Sequence, residues 1–291
     1  MDDVTTRMLP RPVADAGPAP ATVPRPAPPG APGAPGPAVR WPVADRPPWT
    51  TPRGRRTIAV LGACGGAGAS VLAAALAQAL RRDGEGAVLV DLDLPGPGAD
   101  VLLGIEDEAG ARWPELAAAR GDVDGVGLVA ALPRWRSVPV LSGTRLRPAR
   151  PDDAVVVDVC TGLLRGGETV VLDLPRPAAW TAGTRMLVGA ADAVVLVTPC
   201  SAPGVAGALA ARAELADLGA PEPWLVARGP APGRVDAAAL EEALGLRVAA
   251  TVRRDPRLPA AVDRGDGPPV GHRAPLGRAA GSLVGALART S

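Results

Sequence analysis

From residue 57 onward, short apolar runs alternate with longer stretches of helical period. TIAVLGA (57–63) is a short, mostly apolar run closed by Gly62, which suits a buried parallel strand. VLAAALAQALRR (71–82) follows as an Ala/Leu helix, and AVLVDLDL (87–94) as the next strand. GLVAAL (127–132) and VPVLS (138–142) predict two weaker strands. In 152–167, Val155, Val159 and Leu163 recur at helical spacing and predict a helix. TVVLDLP (169–175) and AVVLVTP (193–199) are buried strands, and 204–219 is a helix closed by glycine. PWLVARG (223–229) predicts a strand, AAALEEALG (237–245) a helix, LRVAATV (246–252) a last strand and 275–289 a last helix. Strands alternating with helices predict a doubly wound α/β domain over 53–291, its mostly parallel sheet covered on both faces.

Residues 1–52 carry neither period. PAPATVPRPAPPGAPGAPGPAVRWP is Pro-, Ala- and Gly-rich and cannot bury enough apolar surface to offset ordering entropy. We expect a disordered tail with polyproline II character, serving either as a passive tether or, through PRPAPP, as a docking arm.

Composition narrows the chemistry. The chain has 291 residues and a formal net charge of +1, so no bulk field points to nucleic acid or an anionic membrane. It contains no Phe, Tyr, Lys or Asn, as a GC-rich coding sequence dictates, and this excludes every lysine-dependent reaction. Its three cysteines, Cys64, Cys160 and Cys200, are widely spaced, and the single histidine is His272. Neither a zinc site nor a disulfide framework is expected, and a reduced, cytoplasmic setting fits. No apolar run of about 18 residues predicts a membrane span.

The candidate site is the segment joining the first strand to the first helix, Gly62-Ala63-Cys64-Gly65-Gly66-Ala67-Gly68-Ala69-Ser70. A glycine-rich turn at that junction points backbone N–H groups inward, and the helix N-terminus adds partial positive charge, so the pair suits an anion. Gly65, Gly66 and Gly68 permit the backbone angles such a turn needs. Ser70 stands where a P-loop hydroxyl binds Mg²⁺.

The segment resembles the deviant Walker A loop of MinD/ParA-like P-loop proteins, written KGGxGK[ST]. Cys64 occupies the place of the signature lysine and Ala69 that of the P-loop lysine, so both charges are gone. Losing either implies several kcal/mol less stabilisation of a transferring phosphoryl group. The resemblance continues through VLVDLDLPGPGADVLLG (88–104), similar to switch I. It implies Asp91, with Ser70 and Asp173, as Mg²⁺ ligands or their supports, and Asp93 as a vestigial or water-positioning carboxylate. TVVLDLP is similar to the Walker B strand, with Asp173 at its acidic position. Ala227-Arg228 stands where the family has Asn-Arg at the base, which implies Arg228 as a nucleotide contact. RRDPRLPAAVDRGDGPP (253–269) resembles the segment packed near the base. The loop, switch and VLDLPR strand together look like the CpaE/TadZ branch, specifically actinobacterial CpaE-like proteins related to the septum-site-determining protein Ssd.

That resemblance implies ATP or ADP with Mg²⁺ on Cys64–Ser70 and Arg228. It also implies protein partners in Flp/Tad-type pilus or secretion assembly or in division, and a cytoplasmic protein, peripheral at the membrane only through partners. With both lysines absent, the expectation is a degenerate regulator or scaffold with weak or absent hydrolysis and no nucleotide-dependent homodimer. Two alternatives stay open: an active ATPase with a substitute arginine, and a DNA-associated partitioning partner. The apolar stripe Leu276, Ala280, Leu283, Val284 and Leu287 predicts that the last helix packs on its own sheet.

Overall fold

The computed structural model describes residues 55–289 apart from 95, 97, 146–149 and 230–234; the expected tail, 1–52, lies outside them. In chain order the strands are β1 (Thr57–Gly62), β2 (Ala87–Asp91), β3 (Arg134–Trp135), β4 (Val138–Leu141), β5 (Thr169–Asp173), β6 (Ala193–Pro199), β7 (Trp224–Gly229) and β8 (Val248–Arg253). The helices are α1 (Ala69–Arg82), α2 (Ala99–Leu103), α3 (Gly125–Ala131), α4 (Asp153–Gly166), α5 (Ala182–Gly189), α6 (Ala202–Asp217), α7 (Ala237–Leu244), α8 (Leu258–Asp263) and α9 (Pro275–Ala288).

The strands form one eight-stranded sheet in the order β3-β4-β2-β5-β1-β6-β7-β8. Every pairing is parallel except the short β3–β4 hairpin at one edge. Successive strand residues point to opposite faces and feed two cores. Ala59, Leu61, Val88, Val90, Val170 and Leu172 join buried residues of α3 to α7 on one face. Ile58, Val60, Ala87, Leu89 and Val171 join α1, α2 and α9 on the other. The expected α/β architecture is therefore what the chain adopts, and the predicted stripe of α9 is buried against α1 and β8.

Two expectations need correction. GLVAAL is not a strand: residues 125–131 form α3. Asp124 caps that helix by accepting from the Val126 N–H at 3.1 Å. Leu128 and Leu132, four apart, are both buried, which is a helical period. Gly125 allows close approach to α4, since a Cβ there would lie 2.0 Å from the Gly162 carbonyl oxygen. The second correction shortens AVLVDLDL, because β2 ends at Asp91. The Asp91 carboxylate draws the chain out of the strand by accepting from the N–H groups of Asp93 and Ala99.

Candidate functional site

The carboxyl ends of the central strands meet at one edge of the sheet, where doubly wound folds place their ligands. β1 delivers the glycine-rich loop. Gly66 and Gly68 have φ of 72° and 90°, left-handed values that a side chain would strain. Gly68 is the residue before α1, and its cap position carries no side-chain hydrogen bond. Asp91 and Asp173 are register partners on the adjacent strands β2 and β5, so their carboxylates emerge side by side. The loop from Cys64 through Ser70, Asp91, Asp93, Asp173 and Arg228 all line one cleft of about 740 Å³. The residues that the sequence suggested for phosphate, Mg²⁺ and water thus line one cleft.

Asp91 is held from several directions. Its Oδ2 accepts from the Ala99 N–H at 2.8 Å and from the Ser142 hydroxyl at 2.9 Å. Its Oδ1 accepts from the Asp93 N–H at 2.9 Å, and its carbonyl from the Trp113 indole at 2.8 Å. Burial nonetheless raises its pKa above the ordinary aspartate value, against the pull of these hydrogen bonds. Asp173 is raised further. Burial is the main cause, then the Asp91 charge beside it, with a Ser70 hydrogen bond opposing and Asp93 adding repulsion. Asp173 Oδ1 has no hydrogen-bond partner among the described residues although it is buried.

Further in, Arg112 and Asp100 form a buried ion pair at 3.2 Å. The guanidinium also donates to the carbonyls of Ile105 and Glu108 at 2.8 and 3.1 Å, and the Asp100 N–H donates to Ser142 Oγ at 3.3 Å. Sequence reasoning missed Ser142, Trp113, Asp100 and Arg112. Polar residues scattered through a region of irregular period carry no motif, and only the fold brings them together.

The orphaned buried oxygen of Asp173 and its raised pKa suit a positive charge, with Ser70 alongside. Among the described residues no group of three or more His, Cys, Asp or Glu side chains is placed to hold a metal alone. An ion would therefore depend on Ser70, water and ligand oxygens as well. The loop backbone suits phosphate oxygens. Cys64 and Ala69 line the cleft without any charge, and its lining includes two arginines, Arg176 and Arg228. Arg228 Nη1 donates to the Gly66 carbonyl, so this guanidinium braces the loop. Beside the loop, a recess of about 340 Å³ is lined by Ala67, Gly68, Val71, Arg228 and the Arg253–Asp255 segment, where the sequence suggested a base would pack.

Comparisons with known proteins agree with this fold. The ParA family, described as NUBPL iron-transfer P-loop NTPase, matches residues 53–121. Two uncharacterised proteins of Mycobacterium tuberculosis, from strains CDC 1551 and H37Rv, are 42% identical over 232 residues. That span is 80% of this chain and 64% of theirs, so the chain falls just short of two thirds of the length of these relatives. Among solved structures, the septum site-determining protein MinD of Pyrococcus horikoshii, complexed with Mg-ADP, superimposes with a TM-score of 0.67 at 17% identity, over 81% of this chain and 97% of that one. The MinC:MinD cell division complex of Aquifex aeolicus gives 0.65 at 17%, over 81% and 96%. No helix among the described residues is long and apolar enough to cross a membrane. The chain has the α/β fold of the ParA/MinD-like P-loop NTPases.

Proposed function

We propose that this chain is a ParA/MinD-like P-loop protein that works as a regulator or scaffold, retaining a nucleotide cleft while hydrolysing nucleotide slowly or not at all. One observation carries the reading: the two loop positions that supply lysine charge in such proteins are Cys64 and Ala69, both lining the cleft. The loop backbone and the α1 N-terminus would hold phosphate oxygens. Ser70, Asp91 and Asp173 would hold Mg²⁺ directly or through water, and the ion would neutralise charge between the phosphates and the carboxylates. Asp93 lies at the cleft, where a carboxylate could orient water. Phosphoryl transfer asks for cations where charge develops, and neither lysine position provides one.

Without turnover to drive it, the protein's output is binding. We propose protein partners, in Flp/Tad-type pilus or secretion assembly or in septum placement, at the cytoplasmic side of the membrane. Both the resemblance of the DLDLPGPGAD and VLDLPR segments to CpaE-like proteins and the existence of a solved MinC:MinD complex of similar fold support this reading. Titrating the full chain with labelled ATP and Mg²⁺, alongside a phosphate-release assay, tests it. Binding without release supports the reading, and turnover at rates typical of such ATPases overturns it.

A further inference from the structure

Arg176 is a cation that loop-based reading did not anticipate. It lies three residues beyond Asp173, on the turn that leaves β5, and lines the same cleft as Cys64–Ser70, Asp91 and Asp93. The two arginines of that lining are in different states. Arg228 has its guanidinium on the Gly66 carbonyl and against Gly68, where it braces the loop backbone. The Arg176 side chain is exposed and makes no hydrogen bond or ion pair among the described residues, while its carbonyl accepts from the Ala179 N–H at 2.8 Å. It also lines a second recess of about 380 Å³ with Ala63, Gly207 and Glu214, so it stands at the rim between two openings. Its backbone position is firm. Arg176 precedes a 3-10 turn at Pro177–Ala179, with proline on either side, and the buried Trp180 closes the turn by donating its indole N–H to the Pro175 carbonyl at 2.8 Å.

We propose that Arg176 is the cation that recognises the phosphates of a nucleoside di- or triphosphate in this lysine-free cleft, while Arg228 shapes the loop that cradles them. This rests on reading the cleft as a phosphate site. The charge balance requires such a group. Asp91, Asp93 and Asp173 line the cleft with carboxyl groups, and a polyphosphate brings its own negative charge. Mg²⁺ offsets part of this, and an arginine fork supplies paired donors matched to phosphate oxygens. An arginine anchored on the turn after the acidic strand can swing toward the cleft, whereas a loop lysine would be fixed within the cradle. Such a cation suits binding more than transfer, in keeping with a cleft that senses nucleotide.

Equilibrium binding of a fluorescent ATP analogue to the full chain with Mg²⁺, competed by ADP, AMP and inorganic tripolyphosphate, tests this. Arg176→Ala is expected to weaken ATP, ADP and tripolyphosphate at least tenfold and AMP much less, with Arg176→Lys in between. Arg120→Ala, an exposed arginine outside the cleft, controls for net charge and should leave all four unchanged. Unaltered tryptophan emission and unfolding midpoint in Arg176→Ala would show that the turn is intact. A wild-type chain that binds ATP while Arg176→Ala binds it equally well overturns the role of Arg176 and leaves the proposed function standing. Equal losses in Arg176→Ala and Arg120→Ala also overturn it. A wild-type chain that binds no phosphate ligand overturns both.

Discussion

Ser142 donates its hydroxyl to Asp91 Oδ2 at 2.9 Å, joining the end of β4 to the acidic end of β2. The same oxygen of Ser142 accepts from the Asp100 N–H at 3.3 Å, so one small side chain ties Asp91 to the start of α2. Ser142→Ala leaves a buried carboxylate short of a donor and a buried N–H short of an acceptor. We expect a loss of ~1–3 kcal/mol, the range for unsatisfied buried polar groups. Denaturant unfolding monitored by tryptophan emission measures it, and a variant as stable as wild type would show that water replaces the hydroxyl at no cost.

Asp173 predicts an unusual response to pH. Its pKa lies well above the ordinary aspartate value, because burial and the neighbouring Asp91 charge disfavour ionisation. The native state therefore holds its proton more tightly than the unfolded chain. Its favourable contribution is complete below the unfolded value of about 3.9 and is lost as pH rises through the elevated native value. Asp173→Asn mimics the protonated form and should raise the unfolding midpoint at pH 8 by ~2–4 °C for each ~1 kcal/mol recovered. The gain should shrink toward pH 4. Equal gains at pH 4 and pH 8 would refute an electrostatic origin. Mg²⁺ at pH 8 should stabilise the wild type and act less on Asp173→Asn.

Much of this site was legible because its residues sit at strand ends. A buried run followed by glycines or aspartates places them at the carboxyl edge without further information, and so Gly65–Ser70, Asp91 and Asp173 converge as expected. GLVAAL (127–132) predicts a strand on its apolar density, whereas Asp124 and the spacing of Leu128 and Leu132 belong to a helix. The braces of Asp91 were not legible. Ser142 lies 51 residues away in sequence and Trp113 lies 22 away, and no local pattern links either to an acidic strand end. Arg176 was visible in VLDLPR, but only the turn after β5 shows that it borders the cleft.

Gly207 couples α6 to the loop. A Cβ at this position would lie 2.0 Å from the Ala63 carbonyl oxygen, a backbone atom that cannot yield cheaply. Gly207→Ala should therefore push α6 off the β1 end, costing ~1–3 kcal/mol as overpacking does. Because Ala63 opens the loop, ligand affinity should fall along with stability. Gly281→Ala in α9, where the added Cβ meets nothing within 4 Å, is the control and should gain slightly. A Gly207→Ala protein with wild-type stability would mean that α6 is free to shift.

Oligomeric state tests whether this chain behaves as nucleotide-sandwich ATPases do. The signature lysine of the MinD/ParA-like loop reaches a partner's phosphates, and Cys64 has no charge to send across. We expect light scattering to give the same mass with and without Mg-ATP. An ATP-induced dimer would mean that another cation crosses the interface, and Arg176→Ala would then be expected to abolish it.

Turnover decides between scaffold and enzyme. Ala69 is the first residue of α1, beside the left-handed Gly68, and lines the cleft without charge. A lysine there would carry its ammonium toward the phosphates as a point charge. Ala69→Lys should tighten ATP by roughly tenfold, the equivalent of ~1.4 kcal/mol and within the range of one charge-assisted hydrogen bond. Affinity and hydrolysis need not rise together. Transfer also requires charge neutralisation as the γ-phosphoryl group departs, and Cys64 still offers none. The wild type should therefore release phosphate at the background rate, Ala69→Lys should bind tightly with little release, and any release it gains should vanish in Ala69→Lys combined with Asp93→Ala. Single-turnover assays with γ-labelled ATP, run beside the binding titration, distinguish these outcomes. Wild-type hydrolysis that Asp93→Ala abolishes would make the chain an enzyme, with an arginine performing the work of the missing lysines.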